Sequence, residues 1–332
     1  MNQTCLASRE PATLTLVQTE SEHLKSPSPR SLTIWRMVDG KPGHESQSKG
    51  LVDALARRVQ VSAYDLPAPG KLTAILGCLL GRFSPGKGLP DPDLILGAGH
   101  QTHFSLLAAR RARGGKSVVL MRPSLPVAWF DFCLVPKHDN PPTAANVLPT
   151  LGVLNPVARS SDASDAQGLI LVGGPSTHFD WDDRELPAQV VEQVKLHSDV
   201  NWILTTSRRT PPATESALTQ LDIPNLKIVP FSETRPGWVA EHLNRSGAVL
   251  VSEDSVSMVF EAVTSGARVG LLSVPPKPGT SRVRRSVETL LSEKRAYRCR
   301  QGLRMDQADL ERTPVAEADR SADWILELLF PR

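Results

Sequence analysis

The chain has 332 residues, long enough for two domains that each bury a core. Hydrophobic residues make up 40% and the net charge is +3, values of a soluble globular protein; a nucleic-acid face would need more concentrated basic charge. Cys5, Cys78, Cys133 and Cys299 form no CxxC pair, so the sequence indicates neither a disulfide framework nor a zinc site and fits a reducing compartment.

Residues 1–30 contain no apolar run, and Ser26-Pro-Ser-Pro29 reads as part of a flexible tail without a secretory core. No segment reaches the roughly 18–20 apolar residues of a spanning helix, so a cytoplasmic protein is expected. Ordered structure is predicted to open with a strand over 32–38. The turn Asp39-Gly-Lys-Pro-Gly-His44 follows, and then a helix over 45–59 whose Leu51, Leu55 and Val59 share one face. Strands are predicted at 61–66, 93–97, 117–121 and 132–135, with a helix over 104–113. Short apolar strands alternating with helices argue for a parallel sheet.

The stretch from 141 to 165 is rich in Pro, Asn, Ser and Asp; Val147-Leu148 reads as a short strand within it, leaving 151–165 as the linker. The pattern then restarts. Strands are expected at 169–172, 201–205, 227–229, 248–251 and 268–273, with helices at 186–197, 214–221 and 256–265, the last closed by Gly266. The fold class is therefore α/β, with two Rossmann-like domains over 31–150 and 166–310 facing a cleft. A final helix within 311–332 is expected to pack back on the first domain.

Ligands of open α/β sheets bind outside the carboxyl ends of the strands, so the loops after strands are the candidate sites. Gly173-Gly-Pro-Ser176 offers backbone approach, free N–H groups and a hydroxyl, although a plain glycine turn has the same composition. Ser207-Arg-Arg-Thr210 places Arg208 and Arg209 between hydroxyls, a set suited to bidentate recognition of phosphate. Asp254 or Ser255 is placed to cap a helix carrying Ser257, Met258 and Glu261, whose N-terminus would attract an anion. Glu261, about two turns in, is a candidate acceptor for ribose hydroxyls. Together these loops predict a site for a nucleotide diphosphate.

In the amino-terminal half, Lys41, Gly43, His44, Glu45 and Gln47 form a polar cluster that lacks the GxxxxGK[ST] spacing. His44 and Glu45 are the proton-transfer candidates. Gly99, His100 and His138 follow later strands and face the same side; the spacing of the three histidines fits no standard metal site, and neither metal nor cofactor is expected. Lys71-Leu-Thr-Ala-Ile-Leu-Gly-Cys-Leu-Leu-Gly-Arg82 is too short to span a bilayer. Its apolar stretch from Leu72 to Leu80 between basic flanks is a candidate for lying on a membrane surface, the alternative being a packed core helix.

Taken in order, several segments resemble the elongated-mitochondria type mitochondrial-fission family. They are Asp39-Gly-Lys-Pro-Gly-His-Glu-Ser-Gln47, Pro92-Asp-Leu-Ile95, Pro136-Lys-His-Asp139, Gly173-Gly-Pro-Ser176, Ser207-Arg-Arg-Thr-Pro211 and Glu253-Asp-Ser-Val-Ser-Met258 with Glu261-Ala262. That family is similar to GT-B glycosyltransferases, so the resemblance implies a nucleotide-sugar donor in the second domain and an acceptor in the first. Ser252-Glu-Asp-Ser255 stands where those enzymes commonly carry His-Gly-Gly. The activity implied is glycosyl transfer to a lipid or cell-envelope acceptor. The alternatives are a non-catalytic membrane-associated adaptor and a nucleotide-sugar epimerase.

Overall fold

The computed structural model describes residues 31–158, 162–279, 282–300, 302–311 and 315–331; the tail expected over 1–30 lies outside them. The first half is built from β1 (Ser31–Val38), α1 (Pro42–Ala56), β2 (Gln60–Pro67), α2 (Lys71–Leu80), β3 (Leu94–Ala98), α3 (His103–Arg113), β4 (Lys116–Leu120), β5 (Phe132–Pro136) and β6 (Val147–Thr150). The second half contains β7 (Ser164–Leu171), α4 (Glu185–Leu196), β8 (Asn201–Thr205), α5 (Pro212–Thr219), β9 (Leu226–Val229), α6 (Trp238–Arg245) and β10 (Ser246–Ser252). It continues with α7 (Val256–Thr264), β11 (Arg268–Leu272), α8 (Arg282–Ser292) and β12 (Tyr297–Arg298), and α9 (Glu317–Leu329) closes the chain.

The strands form two six-stranded parallel sheets, ordered β2-β1-β3-β4-β5-β6 and β12-β11-β10-β7-β8-β9. Every residue of β3, β5 and β10 is buried, as strands covered by helices on both faces require. Edge strand β2 buries only Leu66. Strand order reverses between β1 and β3 in the first sheet and between β7 and β10 in the second. Each reversal opens a crevice beyond the carboxyl ends of its two strands.

Several elements depart from expectation. Helix α1 starts at Pro42, because proline suits the first helical position and Lys41 takes the flanking extended backbone. His44 and Glu45 therefore lie in its first turn. Strand β7 begins at Ser164, inside the stretch read as linker. Helices α6 and α8 and strand β12 are additional to the predicted elements: both helices are amphipathic, with Leu243 of α6 and Val287 and Leu290 of α8 buried, and β12 has only two residues.

Helix α9 returns to the first half, where Ala318, Ala322 and Ile325 join Leu51, Ala54 and Leu55 of α1 in one core. Arg57 and Arg58, just past α1, pair with Asp319, and Arg58 also with Asp323. Between the halves, Asn155 Nδ2 donates to Thr264 Oγ1 (3.0 Å), and Lys137 Nζ meets Glu293 Oε1 at 2.7 Å.

Candidate functional site

Three loops converge at the crevice between β7 and β10. Gly173 N–H donates to Ser252 Oγ (2.8 Å) and Gly174 N–H to Asp254 Oδ2 (3.2 Å). Arg209 reaches the same Asp254 Oδ2 (2.9 Å) and the carbonyls of Gly174 (2.7 Å) and Pro175 (3.1 Å). Thr210 Oγ1 donates to Gly173 O (2.5 Å), and Ser207 N–H donates to Thr210 Oγ1 (2.8 Å). A Cβ on Gly174 would sit 2.1 Å from the Arg209 carbonyl, so only glycine allows this approach. The Asp254 carboxylate is fully buried.

This lattice corrects part of the expected anion site. The Gly173 and Gly174 amides already have acceptors inside the protein and are not free donors. Ser176 Oγ accepts from the His178 and Phe179 amides as a local turn. Arg209 and Asp254 brace each other, and Asp254 does not cap α7. Neighbouring Glu253 is likewise internal: it accepts from Val274 N–H (3.2 Å) and Arg298 Nε (3.2 Å).

What remains open lies on the other wall of the crevice. A cavity of about 560 Å³ is lined by the ends of β7 and β8, by Ser207, Arg208 and Arg209, by Phe231 and Val239, and by Ser255, Met258 and Glu261 of α7. Ser255, Met258 and Glu261 recur at helical spacing and present one face to it. Ser255 flanks α7 with extended backbone and makes no side-chain cap bond. The first intrahelical donor is Val259 N–H, to Ser255 O (3.0 Å), which leaves the Val256, Ser257 and Met258 amides without partners among the described residues. Ser257 itself is exposed and lies outside the lining. Arg208 has no ion-pair partner among the described residues, and its guanidinium lies 5.8 Å from the Phe231 ring centre.

Glu261 is the unusual group. It lines the cavity, and no hydrogen bond or ion pair meets its carboxylate among the described residues. Desolvation alone pushes its pKa up to about 7. The cavity therefore combines the start of α7 at Ser255 and Met258, a guanidinium, an aromatic ring and a carboxylate that meets no donor among the described residues.

The first sheet carries a second polar edge at its own reversal point. His44 Nδ1 bonds Asp39 Oδ2 (2.8 Å), and the Asp39 side chain is buried. With Nδ1 donating to that carboxylate, Nε2 is the ring nitrogen without a partner among the described residues. The ring lies against Gly99, where φ is +79° and a Cβ would come within 2.2 Å of His44 Cε1. Glu45 Oε1 accepts from Gly40 N–H (3.1 Å) and so braces the loop. Gln47 is buried and donates to Gly43 O (3.2 Å), a structural role on the helix face. Lys41 is exposed, with Nζ 3.9 Å from Asp39. His100 is exposed in the next loop, and His138 is half-buried in the turn after β5.

His103, which no motif marks, heads α3 fully enclosed, with Nδ1 3.2 Å from Ser124 Oγ; burial, then the charge of His100, pushes its pKa down to about 4. No residue of this first edge lines the 560 Å³ cavity. Among the described residues no group of three or more His, Cys, Asp or Glu side chains is arranged to hold a metal ion.

The model of the family described as mitochondrial fission ELM1 matches residues 42–329, and the chain belongs to that family. An uncharacterized protein, RP120, of Rickettsia prowazekii (strain Madrid E) is 20% identical over 347 residues, covering 89% of this chain and 98% of its own. A putative UDP-N-acetylglucosamine 2-epimerase from Listeria monocytogenes superposes with a TM-score of 0.53 at 12% identity, covering 91% of this chain and 98% of that one. The UDP-GlcNAc 2-epimerase of Methanocaldococcus jannaschii gives 0.51 at 10% identity, covering 89% and 99%. The fold is GT-B-like, with two parallel-sheet halves.

Proposed function

We propose that this family member binds the nucleoside diphosphate of a nucleotide-sugar in the carboxyl-terminal cavity and transfers the sugar to a hydroxyl of a lipid or cell-envelope acceptor. The observation that carries the reading is Glu261, a desolvated carboxylate without a donor among the described residues, sharing one cavity with Ser255 and Met258 at the start of α7, where the first-turn amides have no partner among the described residues. A diphosphate on those amides meets the positive end of the helix. Two ribose hydroxyls donating to Glu261 supply what its carboxylate lacks. Arg208, without an ion-pair partner among the described residues, is the cation for the leaving group, and Phe231 is a flat surface for a base.

In the transfer step, the acceptor oxygen bonds to the anomeric carbon as the bond from that carbon to the β-phosphate oxygen breaks. The released nucleoside diphosphate takes the bonding electrons, and its charge is held by α7 and Arg208. His44 Nε2, oriented through Asp39, receives the acceptor's proton.

Calorimetric titration of the full chain with UDP, GDP, ADP and CMP tests the reading. At least one is expected to bind, and Glu261→Ala to weaken that binding roughly tenfold or more. His44→Asn should leave the affinity unchanged, because that ring acts on the acceptor. Absence of heat with all four nucleotides would overturn the assignment. Epimerised sugar formed without an acceptor would keep the donor site and replace the transfer chemistry.

A further inference from the structure

Helix α2 turns its apolar side outward. Of its ten residues only Ala74 is buried, while Leu72 is 84%, Leu76 56%, Leu79 71% and Leu80 58% exposed. Spacings of four, seven and eight residues from Leu72 put all four on one stripe. Beside Leu79 a groove of about 570 Å³ opens towards Trp129, itself 48% exposed. No helix among the described residues is long and apolar enough to cross a membrane, so this surface cannot be one face of a spanning segment.

The helix and its immediate flanks carry only basic charge. Residues 71–82 contain no acid, and Lys71, Arg82, Lys87 and Arg111 are exposed cations. Arg82, Lys87 and Arg111 have no ion-pair partner among the described residues; nearby Asp91 is already taken by Arg113. An apolar stripe with an exposed tryptophan and a one-sign basic border matches the interface of an anionic bilayer. A second copy of the chain fits less well, since a twofold pairing through α2 would set these cations against themselves.

We infer that α2, with Trp129, docks the protein on an anionic phospholipid surface. Strand β2 ends at Pro67 and α2 starts at Lys71, so the Leu72 end of the helix lies at the carboxyl edge of the first sheet. That edge carries His44 and His100. Docking brings it to headgroup level, within reach of an acceptor held in the membrane. This last consequence rests on the acceptor role proposed for the first half; the docking itself does not.

The test is flotation of the full chain with vesicles of phosphatidylcholine alone and mixed with phosphatidylglycerol. The chain is expected to float with the mixed vesicles, less at high salt, and weakly with phosphatidylcholine alone. L72Q/L79Q should lose roughly tenfold or more of the binding, with circular dichroism and nucleotide affinity kept, because both side chains are exposed. K71Q/R82Q/K87Q should lose a similar share and remove most of the salt dependence. Failure of the parent chain to float overturns the inference, as does equal flotation of L72Q/L79Q. So does a parent dimer that L72Q/L79Q converts to monomers with vesicle binding unchanged.

Discussion

Glu261 has lost much of its water without gaining a donor among the described residues, a cost expected to show in the free protein. Its folded pKa, about 7, lies above the ordinary 4.5. The protonated carboxyl suits the fold, so its stability benefit is complete below 4.5 and is lost as pH rises through 7. Glu261→Gln keeps the shape and removes the charge. In urea denaturation at pH 8 the variant is expected to exceed the parent by up to about 3 kcal/mol, with the difference vanishing near pH 4.5. A parent as stable as the variant at pH 8 would mean that the carboxylate has a partner. Ser255, Arg208, Met258 and Glu261 could be picked out in the sequence because each follows a strand or recurs at helical spacing. The partners of Arg209 and Glu45 could not. Arg209 meets Asp254 across 45 residues of chain, and the choice between binding an outside anion and bracing a loop is made by that tertiary contact.

At the scale of elements, the departure Ser252-Glu-Asp-Ser255 acquires a physical role. Where a glycine pair would leave the loop open, Glu253 and Asp254 send carboxylates inward and fasten it to the Val274 amide just past β11, to Arg298 and to the Gly174 loop. On the proposed reading the anion-facing duty falls to the first turn of α7, whose amides have no partner among the described residues. Asp254→Ala leaves the Gly174 amide and Arg209 without their acceptor, and is expected to cost about 2–3 kcal/mol by chemical denaturation, discounted for the partial exposure of Arg209. A loss below the error of the measurement would contradict the brace. Most strands were legible because a strand buried on both faces must be a short apolar run. Helix starts were less so: Pro42 begins α1 through its fixed φ, three residues ahead of the predicted start at Glu45. Helix α2 reads as apolar either way; only its packing on α3 shows that four leucines face outward.

At the scale of the molecule, one rule is applied twice. Each sheet reverses its strand order once, and each reversal carries a polar edge: Asp39 and His44 in the first, the α7 cavity in the second. Two α/β modules were legible from the restart of the strand–helix pattern near Leu169. Strand order and the return of α9 onto α1 were not, because both depend on contacts between distant parts of the chain. The central claim, that the anion is held by the free amides of α7 and not by the glycine loop, is tested most directly by residue-resolved amide hydrogen exchange of the full chain with and without UDP, GDP or ADP. The account predicts slowed exchange at Val256, Ser257 and Met258, with Gly173 and Gly174 unchanged because their amides are already donated. Protection at Gly173 and Gly174 with none at 256–258, or no protection from any nucleotide, would contradict it.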